Sequence, residues 1–270
     1  MSQSSSASAF VGSVPVNYDA HLGPMFFLPY AQDLAERAAA SSPSKVLETA
    51  AGTGIVTEQL RSKLPNATII ATDLNPAMIE RANAVRPGLN VEWRPADATD
   101  LPFDDGSFDV VVCQFGVMFF PDKQQAFNEA FRVLKPGGTF LFNIWESPEK
   151  NDVSLVTKGI LATEFEGNIP PFLETPYGYS DVQPFKEMLV KGGFEASEPL
   201  WLTKECRAES AQSAAIGIVE GTPMTQQIIE RNGDVARIRE RVATTLAERY
   251  GASPMVAKME AIVFQARKPG

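Results

Sequence analysis

Residues 48–54 read Glu-Thr-Ala-Ala-Gly-Thr-Gly and lie between an apolar run and a segment with helical character. Val46 and Leu47 precede this stretch, and Ile-Val-Thr-Glu-Gln-Leu follows it at residues 55–60. This order predicts a strand, a glycine turn and a helix, so that a ligand can approach the turn backbone and the free N–H groups of the helix N-terminus. A carboxylate at the strand end would repel a phosphate. A ligand with a cationic or amino end would tolerate it.

Acidic residues also follow the next two predicted strands. Residues 67–72 read Ala-Thr-Ile-Ile-Ala-Thr, which is typical of a buried parallel strand, and Asp73 follows Glu48 by 25 residues. An acidic residue about 20 residues after a glycine turn commonly accepts hydrogen bonds from ribose hydroxyls. A third strand at 91–94 leads to Asp97. Together with strands predicted at 45–49, 109–113 and 139–144 and the helices between them, this alternation indicates a parallel α/β sheet.

These motifs together resemble the class I S-adenosylmethionine-dependent methyltransferases, and most of all their small-molecule group that includes the ubiquinone and menaquinone biosynthesis methyltransferases. The resemblance covers residues 44–145. It implies a Rossmann-like, doubly wound, mostly parallel sheet whose last strand, predicted at 257–266, is antiparallel at the sheet edge. The sequence departs from the family pattern at Ala50, where the family has a glycine. Because alanine resists positive φ, we expect the turn to hold a conformation that alanine allows.

The remaining chain predicts one methyltransferase domain over residues 13–270, with a disordered tail at 1–12. Prolines and aromatic residues at 168–179 suit a loop or lid, whereas residues 210–250 are mostly helical by composition. Breaks are expected at 221–223 and 232–233, where Gly-Thr-Pro and Asn-Gly stand. Helical and loop segments that cap the sheet are predicted at about 13–30, 146–181 and 208–252.

The resemblance implies S-adenosyl-L-methionine as the cofactor. In that family's arrangement Glu48 would lie near the amino group or methionine moiety, and Asp73 would bind the ribose hydroxyls with both oxygens. Leu74 would pack on the adenine ring, while Asp97 would accept a hydrogen bond from the adenine amino group beside the backbone N–H of Ala98. The residues assigned to the cofactor are Tyr18, Glu48, Ala50, Gly52, Gly54, Asp73, Leu74, Asp97, Ala98, Gln114 and Phe115.

Several of these assignments have a structural alternative, which for Gly52 and Gly54 is an ordinary turn. Glu48 alone would be a surface carboxylate at a strand end, and Asp97 a carboxylate of an ordinary loop. Asp73 would be a helix N-cap, although Asn75 is better placed for that role. Phe115 is equally suited to the core.

Two residues near the N-terminus are candidates for catalysis. In the resembled family an N-terminal helix or loop covers the cofactor and a tyrosine there often faces it, which makes Tyr18 the candidate. His21 is the only histidine, and its unperturbed pKa of about 6.5 suits a general base. The alternative is a partly exposed histidine that titrates without consequence. Aromatic residues that could wall an acceptor pocket, or simply pack in the core, are Trp145, Phe172, Tyr177 and Tyr179.

Composition limits the partners. The net charge of −9 and the lack of any basic run argue against nucleic acid. Two cysteines form no disulfide framework, and a single histidine excludes a centre built from several histidines. No apolar stretch reaches membrane-spanning length, and the first residues lack the features of a secretory signal, so we expect a cytoplasmic protein. The oligomeric state stays open.

We therefore predict methyl transfer from S-adenosylmethionine to a small, largely apolar acceptor, at C, N or O, by direct in-line displacement. Residues 113–116 read Cys-Gln-Phe-Gly where enzymes acting on amino groups of adenine or glutamine have Asn-Pro-Pro or Asp-Pro-Pro and an aromatic residue. No carboxylate set for a catalytic magnesium follows the fourth strand, which weakens a catechol-type mechanism.

Two alternatives stay open. One is a nicotinamide-dependent oxidoreductase. Two residues argue against it: Thr57 stands where its motif has the third glycine, and Glu48 precedes the turn. The other is a non-catalytic S-adenosylmethionine-binding protein.

Overall fold

The computed structural model describes residues 14–270, which form two compact units. The sheet unit comprises Tyr30–Trp145, Tyr179–Leu202 and Ala261–Gly270. The helical unit comprises the described residues up to Pro29 together with Glu146–Gly178 and Thr203–Glu260. The tail predicted at 1–12 lies outside the described residues. The predicted cap segments fall largely within the helical unit, and a single domain in which they cover the strand ends remains a prediction.

Strands and helices alternate through the first part of the chain. The strands are β1 (Lys45–Glu48), β2 (Thr68–Asp73), β3 (Glu92–Pro95), β4 (Phe108–Gln114), β5 (Leu134–Trp145), β6 (Glu195–Ala196), β7 (Leu200–Ala208) and β8 (Met255–Arg267). The α-helices are α1 (Val14–Asn17), α2 (Leu28–Ala39), α3 (Ile55–Lys63), α4 (Pro76–Val85), α5 (Lys123–Val133), α6 (Asp152–Glu164), α7 (Glu174–Tyr177), α8 (Gln183–Lys191), α9 (Ala211–Glu220), α10 (Met224–Glu230) and α11 (Val235–Tyr250). A π-helix spans Tyr18–Phe27, and 3₁₀ turns span Val117–Phe119, Pro148–Lys150 and Pro171–Leu173.

The sheet has the order β3-β2-β1-β4-β5-β8-β6, with β7 paired to β8. Strands β1 to β5 run parallel, and β8 is antiparallel to β5. This confirms the predicted doubly wound, mostly parallel sheet with an antiparallel last strand. The two-residue β6 adds a further antiparallel partner to β8. Since the carboxyl ends of parallel strands meet at one edge, the residues that follow β1, β2 and β4 come together there.

Buried apolar runs explain why these segments form central strands. In β4, Val110 to Cys113 are all at most 1% exposed, as expected for a parallel strand covered on both faces. Strand β5 meets β8 through the stacked rings of Phe142 and Phe264, whose centroids lie 4.6 Å apart. On α5, Phe127 packs against Phe142, so the helix covers one face of the sheet.

Helix boundaries follow the predicted caps and breaks. Asn75 caps α4, since its side-chain oxygen accepts a hydrogen bond from the Ala77 N–H at 3.0 Å, and Pro76 occupies the first helical position. In the helical unit, the breaks predicted at 221–223 and 232–233 separate α9, α10 and α11. Both predictions are confirmed.

In the helical unit, the π-helix packs closely on α9. A Cβ at Gly217 would lie 3.1 Å from the Leu22 N atom, and one at Gly221 would lie 3.1 Å from the Tyr18 N atom. Glycines four residues apart share one helix face, so they let the two backbones approach. No helix in the described part of the chain is long and apolar enough to cross a membrane.

Candidate active site

The glycine turn after β1 has a left-handed backbone at three positions. Ala50 has φ 53°, Gly52 φ 56° and Gly54 φ 86°. Ala50 therefore adopts positive φ, which alanine resists. The left-handed region is small but sterically allowed for L-residues, so alanine adopts the conformation at some cost.

Neighbouring residues fill the space around this turn. A Cβ at Gly54 would lie 2.4 Å from the Trp93 ring and 3.3 Å from Arg86 Cδ. Arg86 also donates a hydrogen bond to the Thr53 carbonyl at 2.6 Å. A Cβ at Gly116 would lie 2.5 Å from the Ala50 Cβ, so the chain after β4 lies directly against the turn.

Glu48 is enclosed by the turn and by α3 instead of lying at the surface. Its side chain is 1% exposed and accepts a hydrogen bond from Thr57 Oγ1 at 2.6 Å. Burial raises the pKa of the carboxyl to about 8 and the nearby Asp73 adds to this, whereas the Thr57 hydrogen bond and Arg86 oppose it. The alternative of a surface carboxylate is therefore wrong. A cationic group placed beside Glu48 would favour its ionised form.

Asp73 links the turn to the start of α4. One carboxylate oxygen accepts the Gly52 N–H and the other accepts the Asn75 N–H, both at 2.8 Å. Burial raises the pKa of Asp73, and the two N–H groups oppose that shift. Each carboxylate oxygen keeps further lone-pair capacity, so a diol could still bind there. Leu74, the next residue, is 49% exposed, as a side chain that packs on a ligand ring would be.

The other residues assigned to the cofactor differ in their surroundings. Asp97 Oδ1 accepts hydrogen bonds from the Thr99 N–H at 2.8 Å and the Thr99 hydroxyl at 2.7 Å, which forms an Asx turn across Ala98. Gln114 ends β4 and is half-buried. Phe115 has φ 50° and stacks on Trp145 with ring centroids 3.8 Å apart. This packing supports the core alternative for the Phe115 ring.

Asn143 at the end of β5 was not predicted. It is completely buried, and its Oδ1 accepts the Phe115 N–H at 2.9 Å. The signal in the sequence was a single amide within the apolar run Phe-Leu-Phe-Asn-Ile-Trp at residues 140–145. Buried polar side chains of this kind require hydrogen-bond partners, so an isolated one in a core strand points to a structural or binding role.

The catalytic candidates Tyr18 and His21 both lie on the π-helix of the helical unit. The Tyr18 ring stacks on Phe27 at 5.0 Å, and His21 Nδ1 lies 2.9 Å from the Ser213 hydroxyl. π-Helical turns occur frequently at functional sites. Their catalytic roles remain predictions.

The four candidate pocket aromatics have different partners. Trp145 packs on Phe115, and Tyr177 is buried with its hydroxyl hydrogen-bonded to Ser154, where burial raises the pKa of the phenol. Tyr179 lies beside the Lys123 ammonium, 4.4 Å from the ring centroid, whereas Phe172 bonds through its backbone to Gln227. No group of three or more histidine, cysteine or acidic side chains in residues 14–270 is arranged to hold a metal ion.

Comparison with known proteins assigns the central part of the sheet unit. Residues 47–142 match the methyltransferase domain family. These residues form a class I methyltransferase domain. The resemblance to the ubiquinone and menaquinone methyltransferases is also confirmed by curated relatives of this domain.

One relative is the demethylmenaquinone methyltransferase of Thermus thermophilus, which is 38% identical over 117 residues, or 43% of this chain and 53% of the relative. Another is the ubiquinone/menaquinone biosynthesis C-methyltransferase UbiE of Pseudomonas aeruginosa, 31% identical over 169 residues, or 57% of this chain and 66% of the relative. The alignments thus cover about half to two thirds of these relatives. The YcgJ protein of Bacillus subtilis has the same fold, with a TM-score of 0.58 at 22% identity over 90% of this chain and 99% of YcgJ.

Proposed function

We propose that this protein transfers a methyl group from S-adenosylmethionine to a small, largely apolar acceptor by direct in-line displacement. The proposal rests on the turn of the methyltransferase domain, where Asp73 holds the Gly52 N–H and a buried Glu48 stands behind it. A carboxylate that would repel a phosphate is suited to the ammonium end of an amino-acid ligand.

The residues at the carboxyl edge of the sheet fit this cofactor. Thr53 in the turn is 1% exposed, and its hydroxyl has no hydrogen-bond partner within the described residues, as expected where a ligand completes the site. Glu48 would hold the amino group, Asp73 the ribose hydroxyls and Leu74 the adenine face. Gly52 would let the cofactor approach the backbone, and Gly54 would let the turn pack against Trp93 beside it. The other cofactor residues remain those predicted: Tyr18, Ala50, Asp97, Ala98, Gln114 and Phe115.

The cofactor supplies a methyl group that is already activated by the sulfonium charge. The protein then contributes placement, because the attacking atom, the methyl carbon and the sulfur must be in line. The buried rings of Phe115 and Trp145 provide an apolar environment at the ends of β4 and β5, which disfavours a charged ground state relative to the less charged transition state.

A base is needed only where the acceptor must lose a proton. His21 is the candidate, and the hydroxyl of Ser213, 2.9 Å from its Nδ1, would restrain the ring. The names of the curated relatives favour a quinone-like acceptor.

With a net charge of −9, the protein is a poor candidate for binding nucleic acid. A cytoplasmic location remains a prediction.

Transfer of a labelled methyl group tests the proposal. We expect label from S-adenosylmethionine to appear in a reduced naphthoquinone and S-adenosylhomocysteine to accumulate in step with it. Calorimetry with both sulfur compounds and with NADH separates the alternatives. Heat from NADH alone would indicate an oxidoreductase, whereas cofactor binding without transfer to any of a panel of ring, amine and hydroxyl acceptors would indicate a non-catalytic binding protein.

A further inference from the structure

Asn143 is a completely buried amide of which only one half is used. It pairs with Gln114 across β4 and β5, at the carboxyl edge of the sheet. The Phe115 N–H donates to Asn143 Oδ1 at 2.9 Å and to the Asn143 backbone oxygen at 3.2 Å. Asn143 Nδ2 has no hydrogen-bond partner in the part of the chain that the structure describes.

The orientation of this amide is fixed by its neighbour. An N–H group can donate only to the oxygen of the side chain, so exchanging Oδ1 and Nδ2 would place two donors against each other. The NH₂ group is therefore the unpaired half. A buried donor without an acceptor destabilises the folded state, and natural proteins keep few such groups without a reason.

The surroundings of Asn143 are those of a ligand site. Phe115 is held at φ 50°, a rare conformation for a bulky residue, and such strained positions cluster at ligand-binding sites. The next residue, Gly116, lies against Ala50 of the glycine turn. Ligands of open α/β sheets bind at this edge.

We propose that Asn143 Nδ2 donates a hydrogen bond to an oxygen atom of a bound ligand, while Oδ1 holds the Phe115 backbone. The inference rests on the proposed function, because it takes the ligands to be the cofactor and the methyl acceptor. The oxygen belongs either to the cofactor carboxylate or to a carbonyl or hydroxyl of the acceptor. In both cases the required chemistry is an oxygen that accepts a hydrogen bond in an apolar setting.

Two substitutions separate the halves of the amide. Asn143→Asp keeps an oxygen for the Phe115 N–H, and it replaces the NH₂ by a carboxylate oxygen at high pH or by an O–H donor when protonated. Asn143→Leu removes both halves. A role limited to holding Phe115 requires only the oxygen, whereas the proposed role requires the donor.

The binding experiment has a cofactor arm and an acceptor arm. Calorimetry measures S-adenosylhomocysteine and its decarboxylated analogue, and then 1,4-naphthoquinone and naphthalene on protein saturated with S-adenosylhomocysteine. In one arm, we expect Asn143→Asp to weaken binding of the ligand that carries the carboxylate or carbonyl about tenfold at pH 8, with no effect on the counterpart that lacks that group. The ratio of variant to wild-type Kd should return toward one at pH 5, where the aspartic acid can donate. The arm that responds identifies the source of the oxygen.

An Asn143→Asp variant that binds all four ligands as the wild type does at both pH values would overturn the proposal, and Asn143 would be a support for Phe115 alone. Thermal unfolding of both variants confirms that the proteins compared are folded. Failure of the proposed function is a separate result, since the wild-type protein itself would then not bind S-adenosylhomocysteine.

Discussion

At the scale of single residues, burial gives one carboxyl an unusual titration. Glu48 has a pKa raised from 4.5 to about 8 in the folded protein, chiefly by burial. Between these values the folded state holds a proton that the unfolded chain has lost. The free energy of unfolding therefore falls as the pH rises from about 5 to 8, by about 1.4 kcal/mol per pH unit at most.

A glutamine at this position removes the titration. We expect Glu48→Gln to unfold at a higher temperature than the wild type at pH 8.5, with a difference that shrinks toward pH 5. The glutamine keeps an oxygen for Thr57, so packing is preserved. Circular dichroism melts from pH 5 to 9 measure the effect, and two curves that run parallel over this range would show that Glu48 ionises normally.

Asp73 carries the second prediction at this scale. We expect Asp73→Ala to weaken S-adenosylhomocysteine binding by about 1.5–3 kcal/mol, because a charged hydrogen-bonding partner is lost and the Gly52 N–H is released. Titration calorimetry gives the Kd. Asp104→Ala is the matched control, since it removes an equal charge from an exposed position before β4. If both variants bound S-adenosylhomocysteine equally well, Asp73 would only stabilise the turn and would not contact the cofactor.

At the scale of elements, two left-handed positions of the glycine turn, Gly54 and Ala50, should differ in how substitution changes stability. We expect Gly54→Ala to lower the free energy of unfolding by more than about 2 kcal/mol, because strain at φ 86° adds to a collision with the Trp93 ring. Ala50→Gly is the matched control. It relieves backbone strain but loses a methyl contact, so its stability should stay within about 1 kcal/mol of the wild type. Urea denaturation measures both, and a Gly54→Ala variant as stable as the wild type would contradict the packing at Trp93.

Most elements were predictable because their signals are local. Strands β1, β2 and β4 contain short apolar runs, and α4 begins at an Asn-Pro pair, so pattern and capping chemistry suffice for them. Helix α6 was missed within a predicted cap segment, since its N-cap residue Asn151 makes no side-chain cap and its pattern is only weakly amphipathic. The π-helix at Tyr18–Phe27 was also missed, because it contains Gly23 and Pro24 and depends on packing against α9.

Only the part of the site that belongs to the glycine-turn motif could be predicted from the sequence. The distance from Glu48 to Asp73 identified both acids, but the contacts that decide their chemistry come from residues distant in sequence. Arg86, just after α4, and Trp93 of β3 support the turn, and Asn143 of β5 bonds to Phe115. Such partners follow from sheet register, which the sequence alone does not give.

At the scale of the whole molecule, the aromatic residues, prolines and glycines at residues 10–30 and 168–180 predict a mobile cover over the transfer site. We expect hydrogen exchange in both segments to slow together when S-adenosylhomocysteine binds, because closure would exclude water from the transfer site. Mass spectrometry of exchanged peptides gives the protection, with α11 as a reference for global stabilisation. Protection confined to the 46–57 turn and the Asp73 loop would separate the cover from cofactor binding, and His21 would lose its main claim to a catalytic role.

The antiparallel pairing of β5 with β8 has a consequence for synthesis of the protein. Thr139 to Trp145 pair with Ala261 to Arg267, which leave the ribosome more than a hundred residues later. Until then the nascent sheet presents β5 as an open edge lined by Phe140, Phe142 and Ile144, and such an edge readily pairs with strands of other chains. Pairing between segments so distant also slows folding. The yield of folded protein in the cell should therefore depend on how long β5 stays unpaired, and extra chaperone should raise it.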